Sequence, residues 1–170
     1  IGTYAFAECT SLKNVEINCP KLVVKRMAFC DSGLEHLSVT AKKLDEEAFA
    51  NNSVEDVVIG EGTENIEAYA FYNCNSLESV TLPKSLEYIS NAAFGETGLD
   101  YIEIPEEIRI IGKLPMAKGT YMGIIEHKAT DPLTDEPELI IGADNVKIKV
   151  IADNETKTLL ISLFMRPPFY

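Results

Sequence analysis

The chain has 170 residues, 46% of them hydrophobic, and a formal net charge of −12. That length suits one domain or one short repeat array, and no apolar run approaches the roughly 20 residues a membrane-spanning helix needs. The acidic balance excludes a nucleic-acid surface, which needs clustered Lys and Arg, and it disfavours anionic membranes. Four cysteines, Cys9, Cys19, Cys30 and Cys74, include no C-x-x-C pair, so neither a zinc ribbon nor a thioredoxin-like motif is indicated.

The dipeptide Ala-Phe recurs along the chain at Ala5-Phe6, Ala28-Phe29, Ala48-Phe49, Ala70-Phe71 and Ala93-Phe94, with steps of 23, 20, 22 and 23 residues between the rings. A period of this size is the signature of a solenoid. Five residues before each Phe stands an aliphatic: Ile1, Val24, Leu44, Ile66 and Ile89, with Ile111 continuing the column. After each Phe comes Leu12, Leu34, Val54, Leu77 or Leu99, then Val15, Leu37, Val57, Val80 or Ile102, then Ile17, Val39, Ile59, Leu82 or Ile104. The last two columns alternate with polar residues at the period of a strand. Pro83 and Pro105 follow two of these strands and end them, since proline cannot donate to a ladder.

The stretch from the first aliphatic to the Phe predicts a short helical or extended turn on the opposite wall. One unit of about 22 residues cannot bury its own apolar face, so each must stack on the next, ring on ring and aliphatic on aliphatic. The Ala beside each Phe suggests close packing between coils. The stretch from Val39 to Leu44 is two residues shorter than its equivalents, a difference that falls between columns and leaves their register intact. The chain opens in mid-unit, which predicts further units upstream and an uncovered first coil able to associate.

Units such as Ile66-x-x-x-Ala70-Phe71-x-x-Cys74-x-x-Leu77-x-x-Val80-x-Leu82-Pro83 resemble the BspA-like, or treponemal-class, leucine-rich repeat over residues 1 to about 111. Cys9 and Cys74 hold the usual small-residue position of that repeat, and Ser32, Asn52 and Thr97 hold it elsewhere. The resemblance implies a right-handed leucine-rich repeat coil, with parallel strands on one wall and short turns on the other. It also implies a cell-surface or secreted protein with an adhesive or host-protein-binding role.

Farther along, Met116-Ala117 stands where Ala-Phe is expected, and Met122, Ile125 and His127 are read as continuing the strand columns. Val146 to Val150 alternates as a final strand. Asp153 offers a helix N-cap before Leu159, Leu160, Leu163 and Phe164, and Pro167-Pro168 stops that helix. The expected division is a repeat array over 1–127 and a degenerate last repeat with a capping helix over 128–170, with a separate small domain as the alternative.

No catalytic constellation is legible: no G-x-S-x-G, no phosphate-binding glycine loop, no His-Glu-x-x-His. His36 and His127 fall in units about four coils apart, roughly 20 Å at strand spacing, too far to share a metal. Cys9 and Cys74 lie in a packing column, and no histidine accompanies either of them in its unit. Asn51-Asn52-Ser53 and Asn154-Glu155-Thr156 fit the glycosylation sequon by pattern alone. No metal or cofactor is expected.

The candidate binding surface is the strand face, the concave wall of a solenoid. Lys13, Glu35, Glu55, Glu78 and Asp100 follow the first leucine column, so stacking lines four acids in a row at roughly 5 Å. Such a row is a solvated face, a contact for a basic partner, or a calcium site, although calcium wants six to eight converging oxygens. Outward strand positions are Glu16, Ser38, Val58, Thr81 and Glu103, beside Asn14, His36, Asp56, Ser79 and Tyr101. Tyr101 is the candidate anchor, as tyrosine is enriched at binding hot spots. These features favour a non-enzymatic module that recognises an extracellular protein or host matrix component, with a glycan as the other ligand class. A structural spacer without a ligand of its own is the second reading, and an enzyme with its site in 112–170, around Glu126, His127 and Asp131, is the third.

Overall fold

The computed structural model describes residues 1–112 and, as backbone, the strands 121–125, 140–141 and 147–151. In chain order the strands are β1 (Asn14–Val24), β2 (His36–Leu44), β3 (Asp56–Ile59), β4 (Asn65–Ile66), β5 (Ser79–Thr81), β6 (Tyr88–Ile89), β7 (Tyr101–Ile104), β8 (Ile110–Ile111), β9 (Tyr121–Ile125), β10 (Ile140–Ile141) and β11 (Lys147–Ile151). Every pairing is parallel. Among the described residues there is no helix: opposite the strand wall, short strands run into non-helical turns. The fold is a parallel-strand solenoid, as the spacing predicts.

Each expected column is continuous. The five rings Phe6, Phe29, Phe49, Phe71 and Phe94 stack in sequence with centroids 5.0, 5.2, 5.4 and 5.2 Å apart and planes within 9° of parallel. Leu44, Ile66, Ile89 and Ile111 are register partners along β2, β4, β6 and β8, and all are fully buried. Leu37 pairs with Val57, and Val39 with Ile59. Burying each such side chain contributes roughly 1.5–3 kcal/mol, and an offset aromatic pair adds about 0.5–1.5 kcal/mol. A further buried column, Ala41, Thr63, Leu86 and Ile108, was not evident in the sequence, because Thr63 interrupts its apolar character. The Thr63 hydroxyl accepts the Ala41 N–H there at 3.3 Å.

The two-residue length difference becomes a bulge. Between β1 and β2 the register moves from Cys19 opposite Ala41 to Val23 opposite Lys43, four steps against two. The shorter chain path lets β2 run unbroken around the corner between the two walls, joining the strand wall (β3, β5) to the second wall (β4, β6, β8, β10) in one sheet.

The Phe wall has a ladder of its own. Phe6, Phe29, Phe49 and Phe71 each donate their N–H to the alanine carbonyl of the next coil, Ala28, Ala48, Ala70 and Ala93, at 2.7–2.9 Å. These alanines are fully buried, which explains the invariant small residue: a larger side chain would hold the coils apart. Two residues before and two after each Phe, the backbone is left-handed. Tyr4, Met27, Glu47, Tyr69 and Ala92 occupy the first set and Glu8, Asp31, Asn51, Asn73 and Glu96 the second, all at φ of 49–60°. That conformation costs about 1–2 kcal/mol for an L-residue. In this wall it turns N–H groups toward the neighbouring coil: Asp31 donates to Ala50 O at 3.1 Å and Asn51 to Tyr72 O at 2.9 Å.

Beyond Ile111 the columns continue in a different register from the one the sequence suggests. Met122 pairs with Ile102 and Ile124 with Ile104, so Met122 falls in the middle strand column and not the first, and Ile124 takes the place expected for His127. Apolar side chains at four of the five positions of Tyr121–Ile125, with only Gly123 between them, leave the register ambiguous in sequence. The final strand appears as β11, paired with β9, and β10 pairs with β8. Met116-Ala117, His127 and the helix expected after Asp153 lie outside the described residues.

Candidate functional site

The strand wall presents its outward side chains in two files. Asn14, His36, Asp56 and Ser79 are register partners across β1, β2, β3 and β5, and Glu16, Ser38, Val58 and Thr81 form the second file. All eight are exposed, with their inward neighbours packed in the core, as strict strand alternation demands. A shallow depression of about 390 Å³ runs across β1–β3, bordered by Glu16, His36, Ser38, Asp56 and Val58. Val58 is 49% exposed, an apolar residue in a polar sheet. His36 Nδ1 lies 4.0 Å from Asp56 Oδ2, so this histidine faces outward beside a carboxylate of the next coil.

The acid row is present but not uniform. The backbone links its members from coil to coil: Glu35 N donates to Lys13 O, Glu55 N to Glu35 O and Glu78 N to Glu55 O. Lys13 Nζ meets Glu35 Oε1 at 2.8 Å, and the ammonium lowers the Glu35 carboxyl from its ordinary value. Glu55, Glu78 and Asp100 are exposed and make no ion pair among the described residues. Among those residues no three His, Cys, Asp or Glu side chains converge as a metal site would require.

Tyr101 and Glu103 stand apart from these files. The strand order ends one sheet at β5 and begins a second, of β7, β9 and β11, at β7. The wall is therefore split between Thr81 on one side and Tyr101 and Glu103 on the other. In the split lies a groove of about 350 Å³, with Val80, Leu82 and Pro105 on its apolar side and Thr81, Glu103 and Lys84 at its polar margin. Val80 and Leu82 are only half-buried, whereas their column-mates Val57, Ile59, Ile102 and Ile104 are almost fully buried. Tyr101 is 41% exposed beside the split; partial burial, followed by the Glu103 charge, raises its phenol above the ordinary value.

The two buried cysteines, Cys30 and Cys74, are structural. Burial pushes the Cys74 thiol up to about 11, and burial with the adjacent Asp31 carboxylate pushes Cys30 up to about 12. Both are protonated near neutrality and are poor nucleophiles. The column of Cys74 holds a role that reading by size alone missed. Asn52 amide N–H groups reach Phe29 O, Phe49 O and Ala50 O at 2.8–3.1 Å, while its Oδ1 accepts from Leu34 N and Ser32 Oγ. Ser32 and Thr97 hydroxyls donate to Phe29 O and Phe94 O, and Cys74 Sγ to Phe49 O. These side chains satisfy carbonyls that the turn after each Phe leaves buried. The recurring polar or sulfur atom three residues after the ring was the available signal.

Compared with known protein families, residues 1–117 match the BspA type leucine-rich repeat region in six copies. The chain belongs to this family. Among solved structures, the BspA-type chain is similar to the pneumococcal vaccine antigen PcpA, at 23% identity and TM-score 0.57, over 85% of this chain and 37% of that one. It is also similar to a leucine-rich repeat protein from Bacteroides ovatus ATCC 8483, at 15% identity and TM-score 0.49, over 92% of this chain and 61% of that one. The repeat chain thus spans less than two thirds of either. A comparison with curated proteins gives no match.

Proposed function

We propose that this repeat array is a non-enzymatic, surface-displayed or secreted binding module that docks a basic protein partner on its strand wall. The observation that carries the reading is the run of exposed acids Glu55, Glu78 and Asp100, none of them ion-paired among the described residues, beside the exposed apolar groups of Val58 and Tyr101. Mixed acidic and aromatic character on a rigid sheet gives both steering and a desolvated anchor. The likeness to a structure described as a pneumococcal vaccine antigen supports surface display. The second reading, a spacer that holds another domain, draws on the unbroken Phe stack and on the fraction of the larger solved chain that this one spans.

Surface plasmon resonance against a panel of purified extracellular matrix proteins separates the two. On the binding reading at least one partner is held in a salt-dependent manner, and the triple variant Glu55→Lys, Glu78→Lys, Asp100→Lys loses it. Absence of binding by the wild type across the panel, or equal binding by the variant, favours the spacer.

A further inference from the structure

The split in the strand wall is a local departure from a repeat that is otherwise regular. Two prolines lie at its edge. At the equivalent corner one coil earlier, Gly60 N donates to Val39 O at 2.9 Å. Pro83 and Pro105 occupy the same position in the next two coils and have no N–H to give. The pairing of β3 with β5 accordingly covers three residues, where β2 with β3 covers four, and at β5 and β7 the ladder stops. The coils nevertheless remain bound on their other walls: Phe71 and Phe94 stack at 5.2 Å, and Ile89 pairs with Ile111. A whole extra strand would need β5 and β7 to stand roughly 9.6 Å apart, twice the ordinary spacing, against those contacts. The opening is therefore sized for a side chain.

We propose that this groove seats one aliphatic side chain carried on a basic, extended segment of a partner protein. The inference rests on the strand-wall reading above and gives it a specific anchor point. Val80 and Leu82 supply apolar surface that every other described interior coil buries. Around the opening the charge is negative. Glu103 stands with Lys84 at the groove's polar margin, and Glu78 and Asp100, neither ion-paired among the described residues, immediately precede the two strands that flank it. A Lys or Arg beside the inserted aliphatic meets these carboxylates, whereas an acidic segment is repelled.

The test titrates the full chain, with isotope-labelled Val and Leu methyls, against three synthetic peptides: lysines flanking a central leucine, the same with alanine in place of leucine, and the leucine peptide with glutamates in place of lysines. The groove account expects the first to shift the Val80 and Leu82 methyls, the second to bind about tenfold or more weakly, the change expected from one buried aliphatic side chain, and the third not to bind. Thr81→Trp, an exposed position on the rim, is expected to abolish the leucine preference while the core methyl spectrum stays native. Equal binding of the leucine and alanine peptides, still methyls, or no binding by the first peptide overturns the proposal. If basic peptides bind without leucine preference and the triple lysine variant loses them, the strand-wall reading survives and the groove falls. If the leucine preference persists in that variant, the groove stands and the acid row is dispensable.

Discussion

The two long walls of this solenoid are built to different standards. On the Phe wall the ring recurs in five coils, and each of the four contacts between them repeats the same buried alanine (Ala28, Ala48, Ala70, Ala93) and the same inter-coil hydrogen bond, with spacings that vary by only 0.4 Å along the stack. On the strand wall the inward columns are kept, but the outward files change from coil to coil and the ladder itself stops between β5 and β7. The comparison separates the part of the repeat that makes coils cohere from the part left free to vary. Cohesion needs side chains that stack on copies of themselves; the outward face carries no such demand, so charge, Val58, Tyr101 and two prolines can accumulate there without unwinding the coil.

This difference can be broken most forcefully at the stack. Phe71→Ala, which removes a fully buried ring stacked on both sides, is expected to cost about 3–5 kcal/mol in urea denaturation. Next is Asn52→Ala, which strips partners from three buried carbonyls and from Leu34 N. The loss is on the order of 3 kcal/mol, and Asn52→Ser recovers part of it, since serine and threonine already serve this column. Alkaline pH comes third. The folded Cys74 thiol titrates at about 11, above its unfolded value, so its contribution is whole below that unfolded value and is lost as pH rises through about 11. Thermal melts are expected to fall over this window by roughly 2–3 kcal/mol, and Cys74→Ala to remove that share of the slope.

Smaller effects sharpen the contrast. Ala92→Gly relieves a left-handed φ of 49° on the Phe wall, offset by a floppier unfolded chain; the net is a gain under about 1 kcal/mol. On the strand wall Ser38→Ala and Thr81→Ala, both fully outward, are expected to change stability by less than about 0.5 kcal/mol. A strand-wall loss as large as that of Phe71→Ala would erase the distinction between the walls.

Much of this was legible before any coordinates. Repetition of Ala-Phe at nearly constant spacing fixes the stack, and strand alternation fixes which of Leu37, Ser38 and Val39 face outward. The two-residue shortening after Val39 was readable as a change between columns, and it appears as the bulge between Cys19 and Val23. Three things were hidden for physical reasons. Seven of the ten left-handed residues are Tyr, Glu, Met or Ala and only two are Asn, so composition gives no warning. The hydrogen-bonding role of Asn52 depends on carbonyls from two coils, which no single unit displays. Pro83 and Pro105 do announce that their strands end, but the break between β5 and β7 depends on how two coils meet, which neither strand's sequence displays. On the acid row, Lys13, Glu35, Glu55 and Glu78 follow one another from coil to coil as expected, while the ion pair of Lys13 with Glu35 was not read from the sequence.

The stacking of successive coils carries all of these arguments, and inter-ring NOEs in a chain with selectively protonated phenylalanine test it most directly. The account predicts contacts linking Phe6 to Phe29, Phe29 to Phe49, Phe49 to Phe71 and Phe71 to Phe94, with none between alternate rings. Missing neighbour contacts, or strong ones between Phe29 and Phe71, would contradict it.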